Sequence, residues 1–154
     1  MKIKGLVDED VVNYKKTSMY IIFPTCKCFK CGAEFCQNSA LAHEPVIDVD
    51  IRDLVRRYKD NPITEAVVCG GLEPFDSWPD LALLVSKLRT VTMDDIVIYT
   101  GYTEDEVGVY SEFLKEYANI IVKYGRYIPG QKPHRDELLG VDLASDNQYA
   151  KRIV

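Results

Sequence analysis

The sequence predicts an α/β fold built on a mainly parallel sheet. Two observations predict it. Short apolar, β-branched runs recur along the chain, and stretches with helical spacing of apolar residues lie between them. Glycine-bearing turns also follow the strands in turn: Gly70-Gly71-Leu72-Glu73-Pro74, Thr100-Gly101-Tyr102 and Tyr124-Gly125-Arg126.

Taken in order, Ser18–Phe23 reads as a strand that leads straight into a cysteine-rich loop. Asp50–Tyr58 carries helical periodicity and is followed by Pro62. Glu65–Cys69 is an apolar strand ending at Gly70-Gly71. Over Trp78–Leu88 the apolar residues Leu81, Leu84, Val85 and Leu88 fall on one helical face. Asp95–Tyr99 is the next strand. Thr103 with Glu106 forms a capping box that starts a helix running to about Tyr117. Ile120–Lys123 is a further strand. Parallel strands joined by helices put all their carboxyl ends on one edge, where α/β sheets bind ligands. The cysteine loop and the three glycine turns should therefore meet there.

The chain has 154 residues and no Pro/Gly/Ser-rich linker, so residues 1–154 are expected to form a single domain with a substantial core. A net charge of −5 argues against a general nucleic-acid binder. The acidic Asp8-Glu9 comes too early for a secretory signal. The apolar runs are too short to cross a bilayer. A cytoplasmic protein without nucleic-acid or membrane partners is expected, with reduced thiols rather than disulfides.

Four of the five cysteines, Cys26, Cys28, Cys31 and Cys36, fall within eleven residues. Thiolates packed so closely repel unless a metal centre lies among them, and short Cys spacings hold iron–sulfur clusters or zinc. Structural zinc usually draws on two separated Cys/His pairs, and no second Cys-x2-Cys occurs here, although His43 could complete a site with three cysteines. An iron–sulfur cluster is the better fit. Two triplets are available, Cys28-x2-Cys31-x4-Cys36 and Cys26-x4-Cys31-x4-Cys36; the shorter Cys28–Cys31 interval favours the first. Three ligands on a four-iron cluster leave one iron open to a substrate-like ligand. Cys69, at the end of an apolar strand, reads as a buried structural thiol. His43 and His134 read as loop or surface residues, and Lys15, Lys16, Lys27 and Lys30 as solvated charge that favours nearby thiolates.

A cysteine set after the first strand and Gly70-Gly71-Leu72-Glu73-Pro74 after the second resemble the radical S-adenosylmethionine superfamily. Cys36-Gln37-Asn38 resembles the Cys-[His/Gln/Phe]-Asn of its glycyl-radical-activating members. Tyr99-Thr100-Gly101-Tyr102 and Ser145-Asp146-Asn147-Gln148 are similar to motifs of the activating proteins of anaerobic (class III) ribonucleotide reductase. The usual Cys-x3-Cys-x2-Cys is not reproduced, and Leu72 is an insertion into the usual Gly-Gly-Glu-Pro.

The resemblance implies a partial (β/α) barrel, a 4Fe–4S cluster on Cys31, Cys36 and either Cys28 or Cys26, and S-adenosyl-L-methionine chelated to the open iron. It further implies that Gly70, Gly71, Glu73 and Pro74 form the loop binding the methionine amino group. Tyr99, Thr100, Gly101 and Tyr102 would contact the nucleoside, with Asn38 beside the cofactor. Ser145, Asn147 and Gln148 would either touch ligand or satisfy backbone groups in a turn. The implied activity is 5′-deoxyadenosyl-radical formation that installs a glycyl radical on a large partner, anaerobic ribonucleotide reductase, using a low-potential electron donor. Such chemistry needs no catalytic Ser/His/Asp or carboxylate pair. A radical enzyme with another substrate, an electron carrier and a zinc-binding interaction protein are the alternatives.

Overall fold

The computed structural model describes residues 1–26 and 39–154. Its strands are β1 (Lys2–Ile3), β2 (Gly5–Asp10), β3 (Ser18–Phe23), β4 (Ile47–Asp48), β5 (Ala66–Gly71), β6 (Asp95–Tyr99), β7 (Ile120–Tyr124), β8 (His134–Asp136), β9 (Val141–Leu143) and β10 (Tyr149–Arg152). The helices are α1 (Ile51–Asp60), α2 (Trp78–Leu88) and α3 (Glu104–Leu114), with short 3-10 turns at Ser39–His43 and Pro74–Ser77. The main sheet runs β10-β7-β6-β5-β3-β2. Its four inner strands pair in parallel, and both edge strands are antiparallel. The fold is mixed α/β with a mostly parallel sheet, as expected, and the sheet does not close on itself.

Each helix starts and packs for a local reason. The Asp50 carboxylate accepts from the Arg52 amide and caps α1, whose buried Ile51, Leu54, Val55 and Tyr58 recur at helical spacing. Pro79 in the first turn of α2 presets the backbone. The predicted capping box at Thr103 and Glu106 forms in α3. Gly108 then leaves helical geometry at φ 21°, ψ −98°, and α3 ends at Leu114, short of Tyr117. No helix among the described residues is long and apolar enough to cross a membrane.

Strand alternation divides the sheet into two faces. Met19, Ile21, Phe23, Val67, Cys69, Ile96, Ile98 and Val122 pack with the helices in the main core. Ala66, Val68, Val97 and Ile121 point the other way, against Tyr14, Leu139 and Leu143. The three helices of the described residues therefore lie on one face, and the β8–β9 hairpin covers part of the other. At the amino end of β6, Asp95 accepts from the Tyr14 hydroxyl (2.8 Å), Lys16 (3.0 Å) and Arg152 (2.9 Å). Burial alone would raise its carboxyl, but Arg152, Lys16 and Tyr14 outweigh that and hold it at about 2. This network fixes the end of the sheet remote from the glycine turns.

Candidate functional site

The inner sheet face opens at the carboxyl ends of the strands into a cleft of ≈ 440 Å³. Cys26, Gly71, Glu73, Thr100, Gly101 and Gly125 are among its lining residues, so the turns after β3, β5, β6 and β7 meet as parallel topology requires. The register accounts for the first two: Phe23 pairs with Gly71, which sets the exit of β3 beside the exit of β5.

Strand β5 runs through both glycines rather than stopping at Cys69. A Cβ on Gly71 would lie 2.5 Å from Ile22 Cγ2, and its φ of +86° is the left-handed region that L side chains avoid. A Cβ on Gly70 would lie 3.0 Å from the Tyr20 ring. Packing against β3 therefore demands both glycines, beside any ligand role. The inserted Leu72 is absorbed in the ladder: its amide donates to Phe23 O (3.3 Å) and the next, Glu73, to Thr25 O (2.8 Å). That second bond ties the β5 turn to the segment entering the cysteine loop.

Glu73 is the knot of the site. It is 6% exposed. Its Oε1 accepts from Thr100 Oγ1 (2.8 Å) and the Phe75 amide (3.2 Å), and its Oε2 from the Gly101 amide (2.8 Å). One carboxyl thus shapes its own turn and clasps the turn after β6. Burial pushes it up to about 7, against the pull of the Gly101, Thr100 and Phe75 donors. Pro74 is buried at the start of the following 3-10 turn. Beyond the clasp, the Tyr102 hydroxyl donates to Asp76 (2.5 Å) and the Tyr99 hydroxyl to Asn13 O (2.6 Å). Arg126 pairs with Glu106 at the rim.

The C-terminal motif serves the backbone. Gln148 Oε1 accepts from the Ala144 and Ser145 amides (3.1 Å each), and its Nε2 donates to Gly125 O (3.2 Å). Asn147 Nδ2 donates to Arg126 O (2.8 Å). Ser145 Oγ donates to Asn147 Oδ1 (2.7 Å) and receives the Ile128 amide (3.2 Å). These side chains satisfy backbone groups of the turn, and Gln148 also lines the cleft.

The donor set for a metal centre is narrow. Cys28, Cys31, Cys36 and Asn38 lie outside the described residues. Among the described residues no three His, Cys, Asp or Glu side chains cluster to hold a metal ion. Cys69 is fully buried in β5, and burial pushes its thiol up to about 12, so it is an inert core group. His43 is exposed. That leaves Cys26, half-buried on the cleft wall, as the sulfur the described residues can offer. Cys28, Cys31 and Cys36 follow Cys26 closely in the sequence, so the chemistry of the donor set fits a thiolate-held centre.

Sequence reasoning passed over three contributors. Tyr20 lines the cleft and receives a hydrogen bond from the Gly71 backbone; burial raises its phenol nonetheless. The β8–β9 hairpin supplies Val141 and Leu143 as a wall. Lys123 is 7% exposed on the inner face. Only Lys123 left a signal, a cation within the apolar run Ile120-Ile121-Val122.

A family model described as a 4Fe-4S single cluster domain matches residues 16–148. Comparison with curated proteins and with solved structures returned no match. The matched span begins just before β3 and ends at Gln148, taking in the four clustered cysteines and the turns after β5, β6 and β7. It favours a cluster over zinc for the cysteines, and the chain belongs to the family of 4Fe-4S single cluster domains.

Proposed function

We propose that this iron–sulfur protein is a radical S-adenosylmethionine activase that installs a glycyl radical on anaerobic ribonucleotide reductase. The observation that carries the reading is the clasp: Glu73 joins the Gly70-Gly71 turn to Thr100-Gly101 across a cleft that Cys26 also lines. Two motifs that resemble the two ends of one cofactor site are hydrogen-bonded to each other. On this reading the open six-stranded sheet is a partial (β/α) barrel, and its open side faces a macromolecular substrate.

When bound, a cluster held by Cys31, Cys36 and either Cys28 or Cys26 would pass one electron from a low-potential donor to S-adenosylmethionine, supplying reductive cleavage of its sulfonium bond. The chain's own residues position and shield. Gly70 and Gly71 present backbone free of side chains to the methionine amino group. Glu73 holds that backbone and the Thr100-Gly101 turn at a fixed spacing. Tyr99 and Tyr102 are held by Asn13 and Asp76, so their rings form set walls for the nucleoside. The β8–β9 hairpin, through Val141 and Leu143, walls one side of the cleft against water.

The test is chromatography of anaerobically reconstituted, reduced protein given S-adenosylmethionine, where 5′-deoxyadenosine and methionine are expected. Their absence from protein with an intact cluster rejects the enzyme reading. With the reductase added, a glycyl radical signal is expected by electron paramagnetic resonance. Cleavage without that signal assigns the protein to a radical enzyme of another substrate.

A further inference from the structure

Lys4 belongs to no motif noted above, yet it joins the two stretches of chain that flank the four clustered cysteines. Its own segment is fixed on both sides. Ile3 is buried in the main core, and Lys2 and Ile3 pair with Asp48 and Ile47 of β4. Towards the main sheet, the Lys4 amide donates to Ile22 O (2.7 Å), and Gly5 pairs with Ile22 of β3. The half-buried Lys4 side chain then donates through its ammonium to Leu41 O (2.7 Å) and Ala42 O (2.9 Å), within the 3-10 turn Ser39–His43. Leu41 O also receives the Glu44 amide (3.2 Å). One residue thus holds β3, which precedes the cysteines, by its backbone, and the turn that follows them by its side chain.

The last carbonyls of a helical turn lack partners within it and carry partial negative charge, so a cation suits them better than a neutral donor. What the tie does for a metal centre is entropic. Thiolates spread between Cys26 and Cys36 must be gathered around one cluster. A stretch of chain whose two flanks are already held together gives up less freedom when it does so. The flank before the cysteines has a second tie, the Glu73 amide to Thr25 O (2.8 Å), whereas the Leu41 and Ala42 bonds join the flank after them to the strand before them. We infer that Lys4 is a positioning residue for the 4Fe–4S cluster, holding together the flanks of the cysteine segment so that the cluster is retained. This role needs the family's cluster and is independent of S-adenosylmethionine.

The experiment follows bleaching of the cluster's visible absorption when anaerobically reconstituted protein is placed in excess EDTA. Lys4→Met should lose its cluster about tenfold faster than the wild type or more, as expected for lost charge-assisted bonds. Lys4→Arg, which keeps the charge and the donors, should stay within about threefold of the wild type. Lys16→Met is the control, since it breaks an ion pair with Asp95 at the far end of the sheet. It should weaken the apo-protein in guanidinium yet leave cluster loss within about twofold. Visible circular dichroism, which reports how the cysteines are arranged around the iron, should change in Lys4→Met at equal iron content and not in Lys16→Met. Wild-type rates of bleaching in Lys4→Met would overturn the role, as would Lys4→Arg failing to restore slow loss. Equal acceleration in Lys4→Met and Lys16→Met would overturn it too, by tying iron loss to general stability. A wild type that takes up no iron would overturn the cluster itself, a separate failure.

Discussion

Replacing Glu73 by glutamine keeps the shape of the side chain and changes only what it can accept. In the wild type one oxygen takes Thr100 Oγ1 and the Phe75 amide, and the other takes the Gly101 amide. A glutamine NH₂ at the second position faces the Gly101 N–H; at the first it faces the Phe75 N–H. Either way one buried donor is left without an acceptor, a cost of about 1–3 kcal/mol. A protonated Glu73 avoids this, because its O–H can turn to the Thr100 hydroxyl while both oxygens still accept the amides. Burial raises the Glu73 carboxyl from 4.5 to about 7, so the folded chain holds this proton more tightly than the unfolded chain does. The stabilisation is complete below pH 4.5 and is lost as pH rises through about 7. Over that window the wild type should lose about 3 kcal/mol through this group, and the glutamine variant nothing. Guanidinium denaturation at a series of pH values should show the variant weaker at pH ~5, with the difference closing by pH ~8. A difference that stays constant, or grows with pH, would mean that the three donors keep Glu73 ionised throughout and would refute the argument.

Alanine at Cys31 or Cys36 should abolish the cluster, read as iron content and visible spectrum after anaerobic reconstitution. Cys28→Ala should do the same and Cys26→Ala should not, the opposite pair of results making Cys26 the third ligand. Cys69→Ala should leave iron content unchanged, since that thiol is sealed within the sheet. Gly71→Ala must adopt positive φ and displace Ile22, so thermal and denaturant unfolding should register a loss of about 2–4 kcal/mol. Gly101→Ala, whose nearest neighbour to a new Cβ is Glu73 Oε2 at 3.7 Å, should stay within about 0.5 kcal/mol, and equal effects at the two glycines would contradict this account.

The elements that pattern alone could place are those buried on both faces or along a full helical stripe. Ser18–Phe23, Trp78–Leu88 and Asp95–Tyr99 have the limits that their apolar spacing predicts. The edge strands escaped because one side of an edge strand meets solvent, and its sequence need not be apolar. Gly5–Asp10 is half acidic, and Tyr149–Arg152 carries Lys151 and Arg152. The β8–β9 hairpin has strands of three residues each, beginning with the polar run His134-Arg135-Asp136, too short for any periodicity. Within the site, the meeting of the four turns follows from parallel topology and was legible. The Glu73 clasp was not: its partners Thr100 and Gly101 lie 27 and 28 residues away, and nothing local marks a glutamate as an acceptor for them.

The boundary between core and cleft is written along the strands themselves. With all the helices on one face, the other face needs a different cover, and the β8–β9 hairpin supplies it over Val68, Val97 and Ile121. Two residues further along the same strands, on the same face, stand Gly70, Tyr99 and Lys123. A small, an amphipathic and a charged residue replace three β-branched ones in a single step. The first row needs the hairpin's leucines to stay dry. The second row is polar, and its Lys123 ammonium and Tyr99 hydroxyl take their partners from neighbouring turns rather than from the hairpin. The opening therefore coincides with the change in the side chains that end the strands. The same step in side-chain character, from Val-Val-Ile to Gly-Tyr-Lys across three adjacent parallel strands, marks where the hairpin's cover ends and the cleft begins.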